Sequence, residues 1–446
     1  MLRKLFIFIL ISYKKEARDM RLELRKAKIS GLQWGSPTRV EDHVLYVDKA
    51  ALLEALADDR ITKWDADLAR PGESVRIIPV KDVIEPRVKL EGGESYYASV
   101  IGPNETVGNG VTLALDGAAV VTVGPIMAFQ EGFIDMTGPA AKFSPFAGLY
   151  NVVLLAAPVE NLEKHQYEEA MRVAGLKAAE WIAEQCKGAA VDETEVYEKG
   201  TVAEELAKYP DLPPVVHLCM CITQGLLHDT YVYGVDLKHC LPTLLHPNEV
   251  LDGAMVSGNC VSACDKTTTW HHVHDPVISQ LYKAHGKTIN FLGMIPTQES
   301  VVLAGKERAS SFNARLAKEL GAKGVIITEE GYGNPDTDLC MNVDKCEALG
   351  MRTVVIADEA SGTDGASQGL ADATPNLTAF VSCGNVNEMI EVPAMDKVIG
   401  YIESIAHVSG GAAESLRPDG SMYVELQSII ASTVETGYNR SGSLWV

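Results

Sequence analysis

The amino-acid sequence predicts an α/β fold, in which a largely β N-terminal region precedes an α/β region with a mostly parallel sheet. Three patterns carry that expectation. Short β-branched and apolar runs dominate residues 20–160, and one long amphipathic stretch follows them. Further on, apolar runs alternate with helical repeats, and strand–helix–strand alternation implies right-handed crossovers between parallel strands.

Taken in order, Met20 opens the alternating segment Arg21-Leu22-Glu23-Leu24, a strand pattern. Residues 40–47 alternate in part and lead into a short helical run, 49–56. The run 75–90 is β-branched but contains Pro79 and Pro86, so its strands should be interrupted or lie at an edge. Residues 118–123 and 151–157 are continuous apolar runs, as in strands buried on both faces. A helix is predicted over 163–185, where Tyr167, Ala170, Met171, Ala174, Ala178, Trp181 and Ile182 form one stripe. Residues 187–214 are charged and end in Pro210, Pro213 and Pro214, which predicts a surface connection or a domain boundary. A buried strand over 215–223 comes next.

The C-terminal part predicts strands at 288–295, 324–328, 353–357 and 377–382, with helices at 306–320 and 336–349. In the first of these helices Ala309, Phe312, Leu316 and Leu320 form the expected buried stripe. Glycine-rich turns, Glu330-Gly331-Tyr332-Gly333-Asn334-Pro335 and Ser361-Gly362-Thr363-Asp364-Gly365, follow two of the strands. Such turns lie at the carboxyl ends of parallel strands, where these folds bind ligands. Neither a phosphate-binding Gly-x-x-x-x-Gly-Lys-Ser/Thr loop nor a strand-following Gly-x-Gly-x-x-Gly fingerprint occurs, so nucleotide binding is unsupported.

Composition narrows the function. The 446 residues carry 39 Lys+Arg against 60 Asp+Glu, a net charge of −21, which disfavours bulk binding to nucleic acid or an anionic membrane. Nine cysteines, an odd number, do not suggest a complete disulfide framework; a reducing, cytoplasmic setting is expected. The apolar run 5–11 is far shorter than the roughly 20 residues that span a bilayer. It is followed by Ser12-Tyr13-Lys14-Lys15 instead of a small-x-small cleavage site. Residues 1–19 are therefore expected to be a start-site extension ahead of Met20, with a membrane-surface anchor as the alternative.

Chemistry concentrates in Asp252-Gly253-Ala254-Met255-Val256-Ser257-Gly258-Asn259-Cys260-Val261-Ser262-Ala263-Cys264-Asp265-Lys266, with His271, His272 and His274 close behind. Three readings are open. Cys260 and Cys264 with the histidines offer ligands for zinc, although Cys-x3-Cys-x6-His-His-x-His is not an established zinc spacing. A cysteine paired with a histidine base could serve as a nucleophilic or redox thiol. Finally, the Cys260 thiolate could attack the preceding carbonyl to give a thioester. Removal of the Cα proton and β-elimination would then cleave the chain and leave a dehydroalanine, which hydrolyses to a pyruvoyl group. Gly258 and Ser257 suit the open turn this needs. Succinimide formation at Asn259 is a rival cleavage that would leave an ordinary cysteine. Spacing alone does not choose among the readings.

Longer segments do. From Met20 onward the sequence resembles the proprotein of the α and β subunits of component B of the glycine/sarcosine/betaine reductase complex. The resemblance is carried by Ala69-Arg70-Pro71-Gly72-Glu73-Ser74-Val75-Arg76-Ile77, Pro79-Val80-Lys81-Asp82-Val83-Ile84-Glu85-Pro86-Arg87-Val88, the stretch from Gln224 to Asp236, and the stretch from Val256 to Lys266. It implies cleavage between Asn259 and Cys260, with Cys260 as the precursor of a pyruvoyl group. The β chain would then end at Asn259 and the α chain begin at position 260. The expected partition is thus a 1–19 extension, a largely β domain at 20–160, an α/β region at 161–259 and an α/β domain at 260–446.

The resemblance further implies that the pyruvoyl carbonyl acts as an electron sink for the amine of a small amino acid, favouring reductive Cα–N cleavage. A selenocysteine on a separate γ subunit would take the carboxymethyl group. Selenoprotein A and an acetyl-phosphate-forming component C would complete the pathway. Betaine, with a quaternary nitrogen, cannot condense with a carbonyl. Cys264 is expected to be a core or supporting thiol. His271, His272 and His274 are candidates for the maturation base, and Arg417 for holding a substrate carboxylate, although each also reads as a bystander. His228 and Asp229 lie in a family-like segment without a role that chemistry assigns. The alternative from another class is an uncleaved, non-catalytic assembly subunit.

Overall fold

A computed structural model describes residues 20–97, 99–126, 131–224, 230–258 and 263–436, and the backbone of 442–445. The fold is mixed α/β, and its strands gather into three larger sheets. In the first, Met20–Lys28 pairs with Gly110–Asp116 on one side and with Glu193–Lys199 on the other. Leu22, Leu24 and Ala27 are its buried residues, as the alternation predicts. The segment 187–214 is therefore more than a surface connection: Glu193–Lys199 is a strand that returns to the first sheet, and Val202–Lys208 is a helix with a Thr201 capping box. Its alternating charges hid the strand, because only an edge strand leaves so many side chains in solvent.

The second sheet runs in the order Gly132–Asp135, Val75–Ile84, Ala118–Val123, Tyr150–Pro158, Ile61–Ala69, and Lys397–Gly400 pairs in parallel with Val75–Ile84. Every residue of Val75–Ile84 is buried. The run is interrupted at Glu85-Pro86, between Val75–Ile84 and Arg87–Glu91, as its prolines predict, while Pro79 lies within an interior strand and not at an edge. The register slips between Gly132 and Ile134 on one side and between Val80 and Asp82 on the other. These irregularities absorb the missing N–H of the proline. The helix Lys164–Gln185 buries Tyr167, Ala170, Met171, Ala174, Ala178 and Ile182 against these strands, while Trp181 is half-buried.

The third sheet has the order Asn290–Gln298, Pro214–Cys221, Gly324–Glu329, Arg352–Glu359, Ala379–Asn385, Gly442–Trp445. All of these ladders are parallel except the last. The helices Leu303–Glu319 and Asp336–Ala348 occupy the predicted crossovers. The buried face of Leu303–Glu319 is built from Lys306, Ala309, Ser310, Asn313, Ala314 and Ala317. Phe312, Leu316 and Leu320 sit at its margin, because two polar anchors take the central positions: Lys306 pairs with Asp338, and Asn313 donates to Thr297 and Asn342.

Candidate active site

The carboxyl ends of the parallel strands face the segment that carries the chemistry. Met255–Ser257 pairs antiparallel with Thr230–Val232 and delivers the chain to Gly258. Asn259 and Cys260, the predicted processing residues, lie outside the described residues, as do His228 and Asp229. The chain on either side of 259–262 is held firmly. Before it, the Ser257 amide donates to Thr269 Oγ1 at 3.0 Å, and the Gly258 carbonyl accepts from Lys266 Nζ at 2.6 Å. After it, the Ala263 carbonyl accepts from the Ala431 amide at 2.8 Å and the Cys264 carbonyl from the Thr433 amide at 2.9 Å. Gly132 fits under this second anchor only because it lacks a side chain: a Cβ there would stand 2.3 Å from the Ala263 Cβ.

Lys266 is 2% exposed, and its ammonium also donates to the Lys81 carbonyl. Nearby, Asp82 accepts from the Thr269 amide at 3.0 Å and the Thr269 hydroxyl at 2.6 Å. Burial pushes the Asp82 carboxyl up to about 6, against the opposing pull of Lys266. Lys81 forms a buried pair with Glu131 at 2.7 Å. Glu330 ties the two regions together by accepting from the Ile222 and Thr267 amides, both at 2.9 Å, while Thr267 Oγ1 donates to Glu435 at 2.8 Å.

The histidines separate into different roles. Nδ1 of His271 meets the Thr268 amide at 3.1 Å and its hydroxyl at 2.9 Å, at the start of the helix Thr269–Val273. His274 pairs with Glu85 at 3.0 Å and stacks on Trp270, with ring centroids 4.2 Å apart. Although burial opposes its charge, Arg87 and His274 hold Glu85 down to about 2. Burial, reinforced by the charge of Lys266, pushes His272 down to about 3, and its Nε2 has no hydrogen-bond partner among the described residues. It is therefore neutral near pH 7 and a weak base.

Among the described residues, the group with metal-ligand spacing is Cys264, Asp265 and Asp358, so none of these histidines joins Cys264 in a zinc-like cluster. Arg417 lies at the surface, in a turn closed by the Ser421 carbonyl, and pairs with exposed Glu391. Sequence reasoning gave no role to a set of buried acids: Glu299, Glu329, Glu330 and Asp358 at or beside strand ends, and Asp265 and Glu435 in turns. Two of them, Glu329 and Asp358, directly follow predicted strands, which was the available signal; carboxylates at such ends usually read as solvated turns.

A parallel α/β sheet with a buried polar site at its carboxyl ends defines an enzyme-like architecture. The family model for glycine/sarcosine/betaine reductase component B subunits matches residues 20–443, and the chain belongs to this family of oxidoreductase components. It is 52% identical, over 94% of its length and 99% of the relative, to the sarcosine reductase complex component B subunit alpha of Peptoclostridium acidaminophilum. It is 51% identical, over 94% of its length and 99% of the relative, to the glycine reductase complex component B subunits alpha and beta of Acetoanaerobium sticklandii. The D-proline reductase proprotein of A. sticklandii is 23% identical over 75% of this chain and 54% of its own length. No solved structure matches. No helix among the described residues is long and apolar enough to cross a membrane.

Proposed function

We propose that the chain is a precursor cut between Asn259 and Cys260, and that its mature form activates glycine, or sarcosine or betaine, for reductive cleavage of the Cα–N bond. The observation that carries this reading is the double anchoring of 259–262: Lys266 holds the Gly258 carbonyl, and the amides of Ala431 and Thr433 hold the chain beyond. Two fixed flanks let the peptide between them be held in a reactive conformer, which is what an intramolecular acyl shift requires. The relatives named for sarcosine and glycine, and the one named as a proprotein, support the same reading.

In maturation the Cys260 thiolate attacks the Asn259 carbonyl carbon, and the departing amide nitrogen takes a proton to become an amine. Loss of the Cα proton then expels the Asn259 thiocarboxylate and leaves a dehydroalanine. Water hydrolyses its imine tautomer to the ketone and ammonia. Lys266 withdraws electron density from the Gly258 carbonyl and fixes the turn, and Ser257, Cys264 and Asp265 on the flanks are buried. The small residues Ser257, Gly258 and Ala263 flank position 260, where the pyruvoyl group would form. That group supplies an electron-withdrawing carbonyl to a primary or secondary amine, which glycine and sarcosine possess and betaine lacks. The carboxymethyl acceptor is a selenocysteine-bearing γ subunit; selenoprotein A and component C act downstream.

Intact-mass analysis of the purified chain under denaturing conditions tests the proposal. Two fragments meeting at 259/260, with a blocked and carbonyl-reactive α N-terminus, are expected, and Cys260→Ala should yield none of the carbonyl-reactive fragment. A single uncut species retaining Cys260 would overturn the proposal in favour of an assembly subunit. A free N-terminal cysteine would overturn it in favour of succinimide cleavage.

A further inference from the structure

We propose that Cys264, Asp265 and Asp358 form a binding site for one divalent cation of borderline softness, with Zn2+ the best match. One ligand atom from each lies within 4.8 Å of the others, and all three side chains are buried. Side-chain rotation can bring such a set onto an ion bound at about 2.0–2.3 Å. Asp358 is the penultimate residue of the strand Arg352–Glu359; its Oδ2 accepts from Thr433 Oγ1 at 2.8 Å, and its Oδ1 has no partner among the described residues. Cys264 is fixed through its carbonyl to the Thr433 amide, so both ligands hang from one residue.

A second observation points to a cation. Glu329 ends the neighbouring strand Gly324–Glu329, is 0% exposed, and has no hydrogen-bond partner on either carboxylate oxygen among the described residues. The charges of Asp336, Asp358, Asp338 and Asp265 all act on it, so it neighbours the same group of buried acids. Protonation alone does not satisfy such a group, because a buried carboxylic acid is itself a donor that needs an acceptor. Nearby ammonium groups are committed elsewhere: Lys306 to Asp338 and the Asn334 carbonyl, Lys266 to the Gly258 and Lys81 carbonyls. A cation answers both the charge and the missing partners.

The donor set selects the class of ion. One thiolate with several carboxylates suits Zn2+ better than Mg2+ or Ca2+, which take oxygen ligands alone. The ion would tie the chain just beyond 259–262 to the carboxyl end of the strand Arg352–Glu359. It requires neither cleavage at 259–260 nor a pyruvoyl group, so it stands or falls apart from the function proposed above.

The test uses the full chain, freed of metal by chelation and then dialysed against buffered Zn2+. Elemental mass spectrometry should find one zinc per chain, and the thermal midpoint should rise with zinc. Co2+ in place of zinc should give a thiolate-to-metal absorption band that Cys264→Ser abolishes. Asp358→Asn should lower zinc affinity at least 100-fold, and Glu329→Gln about 10-fold. The wild-type chain alone keeps the test decisive should a variant misfold. A folded wild type that retains no zinc, or shows neither a midpoint shift nor a cobalt–thiolate band, would overturn the proposal, as would full zinc occupancy in folded Asp358→Asn.

Discussion

The ammonium of Lys266 lies 2.6 Å from the carbonyl oxygen of Gly258, so a buried cation grips the backbone immediately before the Asn259–Cys260 bond. The same ammonium reaches the Lys81 carbonyl and thereby locks this turn to the second sheet. Lys266→Met should remove this donor from the Lys81 carbonyl and leave the Gly258 carbonyl to the Ser257 hydroxyl, 3.1 Å away, at a cost of about 1–3 kcal/mol. Cleavage should slow at least 10-fold in a time course read on denaturing gels, with Lys266→Arg intermediate. Cleavage of folded Lys266→Met at the wild-type rate would show that Lys266 serves stability alone.

Gly132 gives a steric counterpart. Its missing side chain makes room for the Ala263 Cβ, and the Ser428 carbonyl oxygen would stand 2.6 Å from an added Cβ. Gly132→Ala should cost about 1–3 kcal/mol in urea unfolding by overpacking. It should also slow cleavage, since the flank beyond 262 must shift. Unchanged stability would mean that Ala263 and the 428–431 segment yield freely.

Stability of the second sheet should depend on Arg76 and Asp135, both 0% exposed, which meet through two hydrogen bonds of 2.7 and 2.8 Å. Asp135→Ala leaves a buried guanidinium with one carbonyl partner, that of Pro393. Removing one member of such a pair costs about 3–5 kcal/mol. Denaturant titration of the uncleaved Cys260→Ala chain would measure it, free of the complication of two fragments.

Acidity should act in an uncommon direction. Burial pushes the Asp275 carboxyl from 3.8 up to about 7, although it accepts hydrogen bonds at the start of the helix Pro276–Ala284. Between those values the folded chain keeps this proton and the unfolded chain loses it. Unfolding therefore releases a proton, and stability falls as pH rises from about 4 to 7. Asp275→Asn should release about one proton fewer on unfolding and flatten the slope of unfolding free energy against pH. An unchanged slope would place the missing titration on the other buried acids, Asp82 and Asp338, whose carboxyls burial also raises to about 6.

Much of the fold was legible because its strands and helices obey local periodicity. The stripe from Tyr167 to Ile182 and the strands around Val325 and Val355 bury what their patterns say they should. Legibility failed where tertiary packing overrode local pattern. Pro79 sits inside a sheet because bulges on both sides receive it. Phe312 yields the centre of its helix face to Asn313, whose partners Thr297 and Asn342 are distant in sequence. The site was legible as a segment, since cysteines, small residues and histidines cluster there, but not as a constellation. Lys266 reads as an ordinary surface lysine until the fold encloses it, and no periodicity announces that Cys264, Asp265 and Asp358 will meet.

The strand Pro214–Cys221 lies between Asn290–Gln298 and Gly324–Glu329, so it belongs to the chain before position 259 while both its neighbours come after. A cut at 259–260 would therefore nick an interlaced body without dividing it. The two products would share one sheet and its ladders, and neither could leave without unravelling the other. The precursor would have to fold before it is cut, and halves made separately would each lack a strand the other keeps.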